Sequence, residues 1–276
     1  MDDLSTGVSK VTGQQHSRTL SSKPYALVVQ TAFLGDLILT VPFLRELIQS
    51  CEVVVVVRSG LGGLLRKMCP ELQVYEVIKG QSESYRRLRN HWRGIQFDYI
   101  FCPHRSFRSA WFVSGLTARV KVGFWHWSTF WAFHHNVRRN HHLPEPLRVM
   151  QLLLPAARDL SIDHSLLEKW SRASYLNIPN SIGMLPILGT TFRSLCSQAS
   201  WKKRPAKVAL FPGSQWGSKQ WPLDHYLTLS KELENSGFEV YWLGTDRESE
   251  ELKRMGVVNN NLAGSLTLEQ TVDFLQ

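Results

Sequence analysis

Cysteine is scarce: four in 276 residues (Cys51, Cys69, Cys102, Cys196), with no CxxC pair and no His at ligand spacing beside them. That excludes a disulfide framework or a zinc ribbon and fits reduced thiols in a cytosolic setting. No apolar run reaches the ~18 residues of a membrane-spanning helix. Residues 1–22 are rich in Ser, Thr, Gly and Gln without an apolar segment. They read as a disordered tail rather than a signal peptide. No Gly-Lys-Ser/Thr triplet occurs, which excludes a P-loop. No Asp-x-Asp occurs, which removes one common carboxylate pair for a divalent cation. No short repeat recurs.

Acidic residues are nearly missing from one stretch. Between Arg86 and Arg148 stand eleven basic residues (Arg86, Arg87, Arg89, Arg93, Arg105, Arg108, Arg119, Lys121, Arg138, Arg139, Arg148) against Asp98 and Glu145. Eleven minus two is +9, equal to the formal net charge of the whole chain. The same span holds seven of the ten His and five of the ten Trp. A basic, aromatic surface attracts polyanions, and both anionic lipid and nucleic acid meet that description. No recognised nucleic-acid motif accompanies the charge, so no nucleic-acid partner is expected. A solvated basic face over an aromatic core is the plainer alternative. The pairs His134-His135 and His141-His142 lack Cys or carboxylate support, and no metal site is expected from them.

What remains is ordinary globular composition, 43% hydrophobic and 20% charged, at a length suited to about two domains. Strand-like and helix-like segments alternate: strands near 25–30, 52–57, 73–78 and 97–102, a weaker one at 119–123, and helices near 36–49, 61–68, 82–93 and 106–116. This alternation predicts an α/β fold, a parallel sheet with helices on both faces. A helix is predicted over 145–160. Residues 161–206 read as an interdomain connection with the basic cluster Lys202-Lys-Arg204. A second strand–helix series follows, with strands 207–211, 238–243 and near 257–262, and helices 222–235 and 246–254. The expected organisation is a tail (1–22), an N-terminal Rossmann-like domain (23–160), a connection (161–206) and a partial second Rossmann-like domain (207–276).

Two strand–loop–helix junctions carry the chemistry. In the first, the buried strand Ala26–Val29 leads to Gly35-Asp36 and a helix whose Leu37, Val41, Leu44 and Ile48 share one face. Pro42 either kinks or restarts that helix. Asp36 then stands where open α/β sheets place ligands, although helix capping is the commoner role for Asp in such a place. In the second, Phe211-Pro-Gly-Ser-Gln-Trp-Gly-Ser-Lys-Gln-Trp-Pro222 joins a strand to an amphipathic helix. Gly213 and Gly217 let amides turn toward a bound group, Lys219 adds a charge, and a helix N-terminus favours an anion. On spacing alone, a phosphate cradle and a plain connection fit equally well. The run Gly60-Leu-Gly62-Gly63 looks like half a dinucleotide fingerprint, but it follows the second strand with G-x-G-G spacing. It reads as a strand-to-helix turn, not as a dehydrogenase site.

Together the two junctions resemble glycosyltransferase family 9, the ADP-heptose:lipopolysaccharide heptosyltransferases. Thr31, Gly35-Asp36 and Pro42 match the family's first segment; Pro212-Gly213-Ser214 and Lys219-Gln-Trp221-Pro222 match its second. Asp98-Tyr-Ile100 with Arg108-Ser-Ala110, Val122-Gly-Phe124, Val240–Gly244 and Asn261–Gly264 support the match, which covers about residues 24 to 276. The resemblance implies a GT-B architecture of two Rossmann-like, doubly wound domains, the second incomplete here, with the reaction in the cleft between them. It implies inverting transfer of a heptose or similar sugar from an ADP-sugar to an acidic, lipid-linked oligosaccharide at the inner-membrane surface. Asp36 would be the general base. Gly213, Ser214, Gln215, Lys219 and Glu248 would hold the donor, and Gly35, Arg105 and Arg108 the acceptor. The ADP-sugar is a co-substrate, and neither cofactor nor metal is expected.

The final segment, Thr267–Gln276, reads as a helix that stops without a C-cap. The family's Asp-Ser/Thr-Gly…His loop, which grips the nucleotide sugar, has no counterpart in the sequence. Truncation is therefore expected, and a non-catalytic nucleotide-sugar or lipopolysaccharide-precursor binding protein, or an inactive fragment, is the alternative function.

Overall fold

A computed structural model describes residues 23–162, 206–214 and 216–275. The first unit comprises β1 (Tyr25–Gln30), α1 (Leu34–Ser50), β2 (Glu52–Arg58), α2 (Gly62–Met68), β3 (Gln73–Val77), α3 (Ser82–His91), β4 (Gln96–Cys102), α4 (Phe107–Ser114), β5 (Thr117–Phe124), β6 (His135–Val137) and α5 (Glu145–Met150). Its six strands are all parallel, in the order β3-β2-β1-β4-β5-β6. The order reverses between β1 and β4, so the connections leave to opposite faces and a crevice opens beyond the strand C-termini.

The strands are apolar along their whole length because both faces are covered. Ala26–Val29 of β1 and Val54–Val57 of β2 are fully buried. One face packs Leu37, Val41 and Leu44 of α1 with Leu147 of α5 against Val28 and Val55. The other packs Tyr85 of α3 and Phe112 of α4 against Leu27 and Ile100. Asp98 is structural: its Oδ2 accepts from the Tyr25 amide at 2.8 Å, tying the start of β1 to β4. Cys51, Cys69 and Cys102 are buried free thiols; burial pushes Cys51 and Cys102 up to about 12.

α1 starts two residues before the expected Asp36 and runs through Pro42 as one element. The expected helix over 145–160 is instead α5 followed by a 3-10 turn, Gln151–Ala156, which contains Pro155. Proline removes the donor an α-helix would need there. Short β6, with the 3-10 turn Phe130–Ala132 before it, escaped the sequence pattern because three residues carry no alternation.

The second unit holds β7 (Lys207–Leu210), α6 (Leu223–Asn235), β8 (Glu239–Trp242), α7 (Asp246–Arg254) and α8 (Leu268–Phe274). β7 and β8 pair in parallel. The expected strand near 257–262 is a single bridge between Trp242 and Asn261. Its core is small: Leu210, Val240, Trp242, Leu252 and Ala263. α8 is opened by a reciprocal cap between Thr267 and Gln270. It packs back on α2, where Lys67 pairs with Asp273, and its Phe274 meets Tyr241 at 5.0 Å. The tail, residues 163–205 of the expected connection (with Cys196 and Lys202–Arg204) and Gln215 lie outside the described residues.

Candidate active site

The crevice at the switch point is a cleft of about 420 Å³. Gln30, Thr31, Ala32, Phe33 and Asp36 enter it after β1, and Pro103, His104, Arg105, Ser106 and Arg108 after β4. Lys79, Tyr85, Phe124, Arg139, Glu145 and Val149 complete the lining. The sequence-derived Asp36, Arg105 and Arg108 therefore meet in one place, although about 70 residues separate the carboxylate from the guanidinium groups. Gly35 is exposed on α1 immediately before Asp36.

Asp36 occupies the third helical position, not the cap position, which belongs to Phe33. Its Oδ2 accepts from the Phe33 amide at a long 3.3 Å. The Asp36 backbone is held more firmly. Buried Thr40 donates its hydroxyl to the Asp36 carbonyl at 2.7 Å, and the buried Gln30 amide donates to Thr40 Oγ1 at 2.7 Å. The carboxylate thus projects from a fixed helix start, half-buried, with capacity for further hydrogen bonds.

Around it the charge is mainly positive. Lys79 stacks over Phe33 at 4.5 Å from the ring centre. Arg105 and Arg108 are exposed, and the ion pairs among the described residues leave both out. Arg139 donates to Glu145 at 2.5 Å, and Arg148 grips the other oxygen of the same carboxylate. Arg148 also donates to the carbonyls of Asn140, His141 and Leu143, which fixes the His141-His142 loop.

His104 was not anticipated from the sequence. Its Nε2 lies 3.0 Å from Ser109 Oγ and 3.3 Å from Thr31 Oγ1. Burial, and next the Lys79 ammonium, push the imidazole down to about 4, against an opposing pull from the Val29 backbone. A neutral ring thereby ties the end of β1 to the first turn of α4. Among the described residues no three His, Cys, Asp or Glu converge on a common point.

The basic span between Arg86 and Arg148 is not one surface. Arg86 and Arg87 pair with Glu83, and Arg119 pairs with Asp159. Arg89 donates to the carbonyls of Trp111 and Phe112, and buried Lys121 to that of Ser114. Only Arg105, Arg108 and Arg139 of the eleven line the cleft, joined by Lys79 from outside the span.

The second junction forms a separate grouping. The loop after β7 passes through a 3-10 turn, Gly217–Lys219, into α6, and Lys219 is exposed. Glu248 packs directly under Gly213: a Cβ there would lie 2.7 Å from its carboxyl carbon. At Gly244 it would lie 3.0 Å from the Glu248 Cβ. These two glycines are required by close approach, and the carboxylate comes up against the loop as a result. Burial raises the Glu248 pKa, but bonds from the Thr245 hydroxyl and amide outweigh it and leave the carboxyl below its usual range. Ser214 is half-buried beside them. None of the residues lining the cleft comes from 206–275. At the Gly60–Gly63 turn, the amides of Gly60 and Gly62 both donate to Glu76 at 3.0 Å, so they are already occupied.

This arrangement defines a class: an α/β glycosyltransferase fold of the GT-B type, its second sheet small among the described residues. A family 9 glycosyltransferase from Veillonella parvula superposes with TM-score 0.62 at 16% identity, covering 89% of this chain and 71% of that one. The E. coli ADP-heptose LPS heptosyltransferase II gives TM-score 0.60 at 19% identity, covering 90% and 75%. The chain belongs to glycosyltransferase family 9 (heptosyltransferase), which it matches over residues 85–276. It is 32% identical over 87 residues to lipopolysaccharide heptosyltransferase 2 of Salmonella typhimurium, an alignment spanning 28% of this chain and 25% of that relative.

Proposed function

We propose that the chain transfers a heptose, or a similar sugar, from an ADP-sugar to an acidic lipopolysaccharide inner-core acceptor, with inversion and without a divalent cation. The carrying observation is Asp36 on a fixed helix start in a cleft with Lys79, Arg105 and Arg108. Solved structures of similar fold support the donor assignment: E. coli heptosyltransferase WaaC has been solved with ADP and with ADP-2-deoxy-2-fluoro heptose.

In this reading residues 23–160 bind the acceptor and 207–276 the nucleotide sugar. The acceptor's anionic groups rest on Arg105 and Arg108 and bring one hydroxyl to Asp36. Asp36 takes the hydroxyl proton as the oxygen attacks the anomeric carbon from the face opposite ADP. The carbon–oxygen bond to ADP breaks, and its electron pair leaves with the diphosphate. Lys219, Ser214, Gln215 and the amides around Gly213 meet the developing charge, a preorganised electrostatic effect. Glu248 holds the loop, and its proximity to Gly213 gives the nucleotide a second contact. The reaction takes place in the cleft between the two units, on the cytoplasmic side of the inner membrane.

Calorimetric titration with ADP beside a transfer assay with ADP-heptose tests this. Binding and transfer, both unaffected by EDTA, are expected. ADP binding without transfer reassigns the chain to nucleotide-sugar binding, strict Mg²⁺ dependence removes the cation-free step, and no ADP binding removes the donor site.

A further inference from the structure

Next to the cleft, the surface is unusually aromatic. Phe107 and Trp111 stand one helical turn apart on α4, 60% and 52% exposed, and Trp131 at 46% meets Phe107 with ring centres 6.1 Å apart. Trp125, Trp127 and Phe130, all at least half exposed, follow on the adjoining loop. Exposed apolar area this concentrated marks an interaction surface. It is continuous with the cleft, because Ser106 and Arg108 line both the cleft and the depression containing Phe107 and Trp111.

We propose that this aromatic face inserts into the headgroup–acyl boundary of an anionic bilayer and holds the cleft mouth at the lipid surface. The inference rests on the reading that the acceptor is lipid-linked.

Charge complementarity selects the occupant. Residues 99–144 contain neither Asp nor Glu, so no carboxylate from this stretch opposes an anionic headgroup layer. Arg108 borders the aromatic face and Arg105 lines the adjoining cleft, and both supply attraction. Trp and Phe beside Arg is the side-chain set favoured at a membrane interface. The Trp131 indole N–H already donates to the Ser128 carbonyl at 2.9 Å, so that ring enters an apolar boundary without a stranded donor. The geometry argues against a nucleic-acid platform. Phe107 and Trp131 meet edge to face at 61°, and Arg89 covers the Trp111 ring at 4.5 Å, so these rings do not offer a row of open faces to stacked bases.

The test is co-sedimentation of the full chain with phosphatidylglycerol/phosphatidylcholine vesicles, with phosphatidylcholine vesicles as reference. The chain should partition onto the anionic vesicles, and the triple variant Phe107→Ser/Trp111→Ser/Trp131→Ser should lose on the order of a hundredfold in partitioning. That variant should keep the wild-type melting temperature and ADP affinity, whereas Lys219→Ala should lose ADP affinity and keep vesicle binding. The membrane surface and the donor site thus fail separately. Brominated lipid should quench wild-type tryptophan emission, a measurement that needs no variant. Absence of quenching, equal partitioning of the triple variant, or binding to a single-stranded oligonucleotide that displaces the vesicles would each overturn the proposal.

Discussion

The cleft of the six-stranded unit and the loop after β7 are both strand-to-helix junctions, yet they are built from opposite materials. At the cleft, side chains do the positioning: Gln30 and Thr40 fix Asp36, and His104 joins Thr31 to Ser109, over strands buried on both faces. At the loop, backbone is exposed and the fixed element is a carboxylate beneath two glycines. A general base must keep one orientation toward one proton, so it needs a rigid surround. A diphosphate is large and multiply charged, and amides, a helix start and a mobile ammonium can grip it without a deep core. On the proposed assignment, the general base stands over the deeper core and the donor loop over the shallower one.

Four perturbations break or sharpen that contrast, here from the largest effect to the smallest. Asp36→Asn keeps the shape and an acceptor for the Phe33 amide, so it should lower kcat by roughly 10² to 10⁴-fold with ADP affinity unchanged; steady-state kinetics beside calorimetry would show it. Acid should attack the cleft side first. His104 falls from 6.5 to about 4 on folding, so the unfolded chain binds the extra proton between those values. The stability this burial retains is complete above pH 6.5 and is lost as pH falls toward 4, by at most about 3 kcal/mol. Urea melts across that range should show the slope, and His104→Gln should flatten it. Lys219→Ala should weaken ADP binding by about 2 kcal/mol, roughly thirtyfold, and leave the melting temperature alone because the side chain is exposed. Thr267→Ala removes the cap of α8 and should cost about 1 kcal/mol of stability without touching ADP affinity.

The sequence order of strands and helices carried most of the first sheet, because strands buried on both faces read as unbroken apolar runs. Asp36 with Arg105 and Arg108 was legible as well, the first by its place after a strand and the others by family likeness. The remaining lining was not. His104 and Thr31 lie 73 positions apart, and only the adjacency of β1 and β4 makes them neighbours. Glu145 looked like one of two stray acids in a basic span, whereas it is the anchor shared by Arg139 and Arg148. The span sums to a large charge, but ion pairs and carbonyl contacts tie most of its basic side chains to separate places, so the charge does not gather on one face. Charge counting along a chain reports composition, not the face each group occupies.

The most direct measurement is a crystal structure of the chain with ADP bound. The account predicts the diphosphate against the Gly213–Ser214 amides with Lys219 beside it, its terminal phosphate directed toward Asp36 across a shared crevice. A diphosphate seated instead on Arg105 and Arg108, or a nucleotide at the loop with no opening toward Asp36, would contradict it.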